Sequence, residues 1–86
     1  MEKKQVEWGY YTAVRFGRFD REAQAYVYQY DDTHYSVVCA KKVARVVQRL
    51  KDGYDHVTAC PVHGMTRQEA GYLLANAERI LKEINS

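Results

Sequence analysis

The chain has 86 residues, of which 47% are hydrophobic and 28% charged, so we expect one globular domain over residues 1–86 and exclude a disordered tail. The net charge of +2 is unevenly placed, because residues 41–51 carry five basic residues and no acidic one. This distribution excludes a uniformly basic protein that coats nucleic acid and also an acidic mimic of DNA.

The first half of the chain predicts three strands. Residues 6–16 alternate in character, residues 17–22 are polar and typical of a turn, and residues 24–30 alternate again. Residues 31–33 supply side chains that favour a second turn, and residues 35–40 are rich in β-favouring side chains. Short connections between successive strands predict an antiparallel meander.

The pattern then changes to that of a helix over residues 41–51. Val43, Val46, Val47 and Leu50 fall at the spacing of one helix face, and Gly53 follows where a helix C-cap favours glycine. The valines are mediocre helix formers, so an extension of the third strand is the alternative.

The last third of the chain predicts a short strand and a long helix. Residues 56–62 fit a fourth strand, which Pro61 ends or confines to a sheet edge. Thr66 and Glu69 form a capping box at the start of the final helix. A single apolar stripe follows to the end of the chain: Ala70, Leu73, Leu74, Ala77, Ile80, Leu81 and Ile84.

Together these elements predict an α+β domain with the order β-β-β-α-β-α. An antiparallel sheet that carries two helices on one face is the simplest way to bury both apolar helix stripes. The other face of the sheet is then expected to face solvent or a partner.

Tyrosine is dense in this chain, with eight in 86 residues. Because two helices cover only one sheet face, we expect several tyrosine rings on the open face, where they would suit a protein interface. The alternative is that tyrosine pairs simply stabilise the sheet. The predicted partner-binding tyrosines are Tyr10, Tyr11, Tyr26, Tyr28 and Tyr30.

The basic side of the first helix is the second predicted contact surface. Lys42, Arg45 and Arg49 form one stripe opposite the apolar stripe, and lysines in a first helical turn oppose the helix dipole. An acidic protein surface or a phosphate backbone would compensate for this, and a solvated face is the alternative. Further candidates for nucleic-acid contacts are Arg15, Arg18, Arg21 and Lys41.

Cys60 and His63 have two residues between them, and Cys39 lies on a neighbouring predicted strand. These three residues are candidates for a zinc site, but zinc needs about four ligands and only one pair has suitable spacing. We therefore expect no metal or other cofactor. Reduced thiols are expected, with a bridge between the two cysteines as the alternative.

No pattern in the sequence predicts catalysis, since there is no glycine-rich phosphate loop and no triad. We expect a cytoplasmic protein without membrane contact, because no apolar run approaches the ~20 residues of a transmembrane helix. Its expected role is to bind another protein, because carboxylates cancel the arginines that nucleic acid would need. By analogy, small domains of this kind include inhibitors and accessory factors of phage and mobile elements. The alternatives are a nucleic-acid-binding module, a zinc-stabilised domain and a homodimer formed through the open sheet face.

Overall fold

A computed structural model describes residues 2–8, 16–60 and 65–86, and for Phe16 it describes the backbone alone. The described residues form an α+β fold, which confirms the predicted class. The elements in chain order are β1 (Lys4–Gln5), β2 (Phe16–Asp20), β3 (Ala25–Gln29), β4 (His34–Cys39), α1 (Ala40–Lys51), α2 (His56–Ala59), α3 (Arg67–Ala75) and α4 (Ala77–Asn85).

The strands form one mixed sheet in the order β1-β4-β3-β2. The antiparallel meander is confirmed for β2, β3 and β4, in which Tyr28 pairs with Gly17 on one side and with Ser36 on the other. The expectation of a wholly antiparallel sheet is wrong, because β1 runs parallel to β4. The Ser36 hydroxyl fixes this edge by donating to the Val6 carbonyl at 2.6 Å.

The predicted turn over residues 17–22 is wrong in its first part. Residues 17–20 belong to β2, and the chain turns afterwards at residues 21–24, where Gln24 has a φ of 52°. The glycine and the charged residues of this segment hid the alternation of core-facing and outward-facing residues that is typical of a strand. The core-facing residues Gly17 and Phe19 pair with two core tyrosines of β3. The predicted first strand over residues 6–16 lies mostly outside the described residues.

The predicted fourth strand over residues 56–62 is also wrong, so the order β-β-β-α-β-α does not hold at this point. Residues 56–59 form the short helix α2, and residues 61–64 lie outside the described part of the chain. The cause is local, because the Asp55 carboxylate accepts from the backbone N–H groups of Val57 at 3.1 Å and Thr58 at 2.8 Å. This side-chain cap begins a helix despite the β-branched residues that follow it.

The capping box of the final helix is half confirmed. The Thr66 hydroxyl accepts from the backbone N–H of Glu69 at 3.2 Å, as predicted. The Glu69 side chain does not return to the cap, because it is buried in the core and accepts from the Tyr30 hydroxyl at 3.1 Å. A Glu at this position therefore joins the helix to the sheet.

The long final helix is interrupted at Asn76, whose backbone leaves the helical region with φ of −111° and ψ of 16°. Leu73 on α3 and Ile80 on α4 are both fully buried, so the apolar stripe continues across the break. Leu74 was predicted to lie on this stripe, but half of its surface is exposed. Leu74 therefore lies at the solvent side of α3, whereas Leu73 beside it is in the core.

The helices pack on one sheet face, with α1 against β3 and β4 and α4 against β2. Tyr26 and Tyr28 point from β3 toward these helices, and their ring centroids lie 5.1 Å apart. Both side chains have no exposed surface, and Trp8 stacks on Tyr28 at 5.9 Å. Besides the carboxyl side chain of Glu69, the buried helix residues are apolar, and most of them are alanine or valine: Ala40, Val43, Val46, Val47, Leu50, Ala59, Ala70, Leu73, Ala77 and Ile80.

This packing overturns the expectation that the tyrosines of the second predicted strand lie on the open face. Tyr26, Tyr28 and Tyr30 are 0%, 0% and 7% exposed. Valine and alanine stripes leave more space between helix and sheet than leucine or phenylalanine would, and close packing requires that large side chains fill it. Aromatic rings on the helix-facing side of β3 supply that volume.

Gly17 makes room for these rings on the neighbouring strand. A Cβ atom at this position would lie 2.9 Å from Cε1 of Tyr26 and 3.0 Å from Cδ1 of Tyr28. Because both rings are enclosed by the core, neither can move aside freely. The packing of the two tyrosines therefore depends on a glycine, without a side chain, at position 17 of β2.

We expect Gly17→Ala to lower the free energy of unfolding by about 1–3 kcal/mol, because the added methyl group would overpack the core. Gly71→Ala is the matched control, since a Cβ at Gly71 meets nothing within 4 Å and the residue lies inside α3. That variant should be stabilised by about 0.5–1 kcal/mol. Urea unfolding measures both changes, and equal effects in the two variants would contradict this packing.

Candidate functional site

The sheet face opposite the helices is formed by alternate residues of three strands. Arg18, Val27 and Val37 lie in one row across β2, β3 and β4, and Gln29 and Tyr35 pair in the next row. Val37 is 42% exposed, Arg18 is exposed, and the other three side chains are half-buried. In the described part of the chain, the helices contact the other side of the sheet. We refer to these five residues as the open sheet face.

A shallow cavity of about 310 Å³ lies on the open sheet face. Its volume is at the lower end of the ~300–1,000 Å³ range of small-molecule sites, so it suits a single side chain or a small group. Two cations, one amide, one phenol and one apolar side chain surround it. The lining residues are Lys3, Arg18, Val27, Gln29 and Tyr35.

The predicted contact tyrosines do not reach this face. The Tyr26 hydroxyl donates to Glu83 at 3.3 Å and accepts from Arg79 at 3.4 Å, and burial raises its pKa to about 12. Burial likewise raises the pKa of Tyr28. Both tyrosines lie inside the core, so neither is presented on the surface of the folded chain.

Tyr10, Tyr11 and Arg15 lie outside the described residues, so their predicted roles stay predictions. The tyrosine that lies on the open sheet face is Tyr35, which the sequence analysis placed on a strand without giving it a role. Val37 was missed in the same way. The alternation of residues 35–39 was the available signal, but it does not say which set of side chains faces the helices.

The predicted basic stripe of α1 is divided by contacts within the chain. The Lys42 amine lies 5.9 Å from the ring centroid of Trp8, and the Arg49 guanidinium donates to the Ala59 carbonyl at 3.2 Å. The ring face of Trp8 supplies the negative partner that a lysine in the first helical turn needs. Arg45 is the exposed member of the stripe.

The other predicted nucleic-acid contacts in the described part of the chain belong to different elements. Arg18 is on the open sheet face, whereas Arg21 follows β2 and donates to the Ser86 hydroxyl at 3.2 Å. Lys41 is exposed at the start of α1. These three cations therefore belong to three different elements of the fold, namely β2, the turn after it and α1.

The two cysteines are free and lie in contrasting surroundings. Cys39 is exposed where β4 meets α1, and it lines a groove of about 540 Å³ with Trp8 and Lys42. The backbone N–H groups of Lys42 and then Lys41 favour its thiolate and lower the pKa of Cys39. Burial raises the pKa of Cys60, which is 1% exposed.

Of the three residues proposed for zinc, the structure describes Cys39 and Cys60. Among residues 2–8, 16–60 and 65–86, no three His, Cys, Asp or Glu side chains form a group that could hold a metal ion. His63 lies outside those ranges. Cys60 packs in the core with its neighbours of α2 and α3.

We expect Cys39 to react with iodoacetamide at neutral pH much faster than Cys60, because the thiolate is the reactive form and only Cys39 is exposed. Mass spectrometry of the folded chain would find the label at Cys39, and Cys39→Ser would remove the fast reaction. In guanidinium chloride the two thiols should react at similar rates. Equal rates in the folded chain would contradict the assigned environments.

Comparisons with known proteins do not assign this chain to a family. No protein-family model matches it, and no curated protein or solved structure is significantly similar to it. None of the helices formed by the described residues has the length and apolar character needed to cross a bilayer. The open sheet face is therefore the main structural basis for a functional proposal.

Proposed function

We propose that this chain is a non-enzymatic binding domain that contacts a protein partner through the open sheet face. The observation that carries the proposal is the exposure of Val37, with 42% of its surface accessible in the centre of an ordered sheet. Val27 pairs directly with Val37 across the ladder, and Tyr35 lies two residues away on the same strand. Valine and tyrosine side chains next to each other on one sheet face, with Arg18 and Gln29 beside them, combine apolar and polar groups as protein interaction sites do.

The open sheet face is also held rigid by packing on the opposite side of the sheet. The strands that present Val27 and Val37 are paired to each other, and their other face is packed against aromatic rings and helices. A surface held in this way loses little conformational entropy on binding, so more of the contact energy contributes to affinity. This rigidity favours docking of a partner without rearrangement.

A protein partner fits the distribution of cations better than a nucleic acid does. The open sheet face carries Arg18, with Lys3 beside the cavity, whereas Arg45 is on a helix packed against the opposite side of the sheet. Affinity for nucleic acid grows with the number of phosphates that one surface neutralises. Among the described residues, the cavity itself offers two cations, Arg18 and Lys3, which is few for binding a phosphate backbone.

The perturbed titratable groups support structural roles. A hydrogen bond with His34, followed by one from the Thr33 backbone, lowers the pKa of Asp31. The backbone N–H of Thr58 does the same for Asp55. Both carboxylates stabilise local turns or caps, and neither lines the cavity on the open sheet face.

The role as an inhibitor or accessory factor of phage or mobile-element type stays a prediction.

The test is to place a charge at the centre of the proposed contact surface. Val37→Asp would bury an unpaired carboxylate in the complex, so we expect capture of the partner from lysate of the native host to fall about tenfold or more. Val57→Asp is the matched control, since Val57 is an exposed valine, 56% accessible, on α2. Quantitative mass spectrometry compares both variants with the wild-type chain.

Undiminished capture by a folded Val37→Asp variant would contradict the proposal, and so would equal loss in both variants. Thermal unfolding by circular dichroism checks that each variant is folded. Light scattering of the purified chain identifies the alternative partner, a second copy. The wild-type chain would then have twice the mass of a monomer, and Val37→Asp would have the mass of a monomer. That result would show that the partner on the open sheet face is a second copy of the chain and not a different protein.

A further inference from the structure

We infer that the open sheet face takes an acidic peptide segment, one of whose side-chain carboxylates enters the 310 Å³ cavity between Lys3 and Arg18. This inference rests on the proposed function and names the chemistry of its partner. It is carried by charge complementarity: both charged residues that line the cavity are cations, and no carboxylate lines it among the described residues.

Two nearby carboxylates, those of Asp20 and Asp31, are engaged in hydrogen bonds within turns. Asp20 is two residues from Arg18 on the same face of β2, and its carboxylate accepts from the backbone N–H of Ala23 at 3.2 Å. The Asp31 carboxylate accepts from the Thr33 backbone N–H at 2.8 Å and contacts the His34 ring nitrogen at 2.9 Å. Neither of these carboxylates lines the cavity, and neither does Glu2, which is adjacent to Lys3 in sequence, so an acidic group from outside can approach both cations.

Arg18 is held where such a carboxylate could meet it. Its neighbours Gly17 and Phe19 pair with Tyr28 and Tyr26 and face the core, so the backbone of β2 is fixed on both sides of Arg18. A guanidinium binds a carboxylate through two parallel N–H groups, whereas Lys3 adds a more flexible point charge. The phenol of Tyr35 is a further donor at the cavity wall.

The surroundings of the cavity favour a peptide as the source of that carboxylate. Val27 forms part of the lining, and Val37 lies beside it in the same row. An extended peptide places alternate side chains on one side, so an acidic residue and an apolar residue two positions apart could occupy cavity and valine surface together. A phosphate backbone offers no apolar group for the valines.

The test uses the full chain and three defined probes at low salt. The first is a short peptide of alternating glutamate and valine, the second has lysine in place of glutamate, and the third is a short uridine RNA. We expect the glutamate peptide to shift the amide resonances of Arg18, Val27, Gln29 and Tyr35 in ¹⁵N–¹H spectra. The lysine peptide and the RNA should leave them unchanged.

Charge reversal locates the site. Arg18→Glu should weaken binding of the glutamate peptide about tenfold or more, because it replaces an attractive charge by a repulsive one. Arg45→Glu changes the net charge by the same amount at an exposed residue of α1 that does not line the cavity, and it should have little effect. Equal weakening by the two variants, or no shift with the glutamate peptide, would overturn the inference. Shifts of the same amides by RNA alone would also overturn it.

The inference and the proposed function can fail separately. If Val37→Asp abolishes partner capture but the glutamate peptide does not bind, the open sheet face remains the contact surface and the acidic chemistry is wrong. If the glutamate peptide binds in an Arg18-dependent way but Val37→Asp leaves capture unchanged, the cavity is an anion site and the proposed function is wrong.

Discussion

The packing of Tyr26 and Tyr28 against the helices is the interaction on which the rest of the structure depends. The two rings fill the space that small helix residues leave, and they fit because Gly17 on the next strand has no side chain. Side chains of a strand alternate between faces, so the orientation of these rings also decides what lies on the opposite side. Val37, and Val27 in part, lie on the open sheet face because the tyrosines of β3 face the helices.

The sequence was most informative where a local pattern and a packing requirement agreed. The apolar spacing of residues 41–51 and the hydroxyl of Thr66 predicted α1 and the start of α3, and both were confirmed. It was misleading where a single side chain decided the outcome, as the carboxylate of Asp55 did for α2. β-Branched residues at 57 and 58 suggested a strand, but two hydrogen bonds to that carboxylate began a helix.

The candidate site was predictable in outline only. Too few helices to cover both sheet faces correctly implied an open face, but alternation alone cannot say which set of residues occupies it. The choice depends on volume: the helix stripes contain valine and alanine, and the chain has only two phenylalanines, so tyrosine must fill the core. Long-range contacts also engage two of the three cations in the basic stripe of α1. Lys42 contacts the ring of Trp8, and Arg49 donates to the Ala59 carbonyl.

The most direct test is oxidative footprinting of the folded chain with hydroxyl radicals, read by mass spectrometry at each tyrosine. Tyr54 is 54% exposed and serves as an internal reference. The structure predicts that Tyr54 is modified rapidly, Tyr35 at an intermediate rate, and Tyr26 and Tyr28 only after the chain is unfolded. Modification of Tyr26 and Tyr28 as fast as that of Tyr54 would place those rings on the surface and contradict the assignment of the open sheet face.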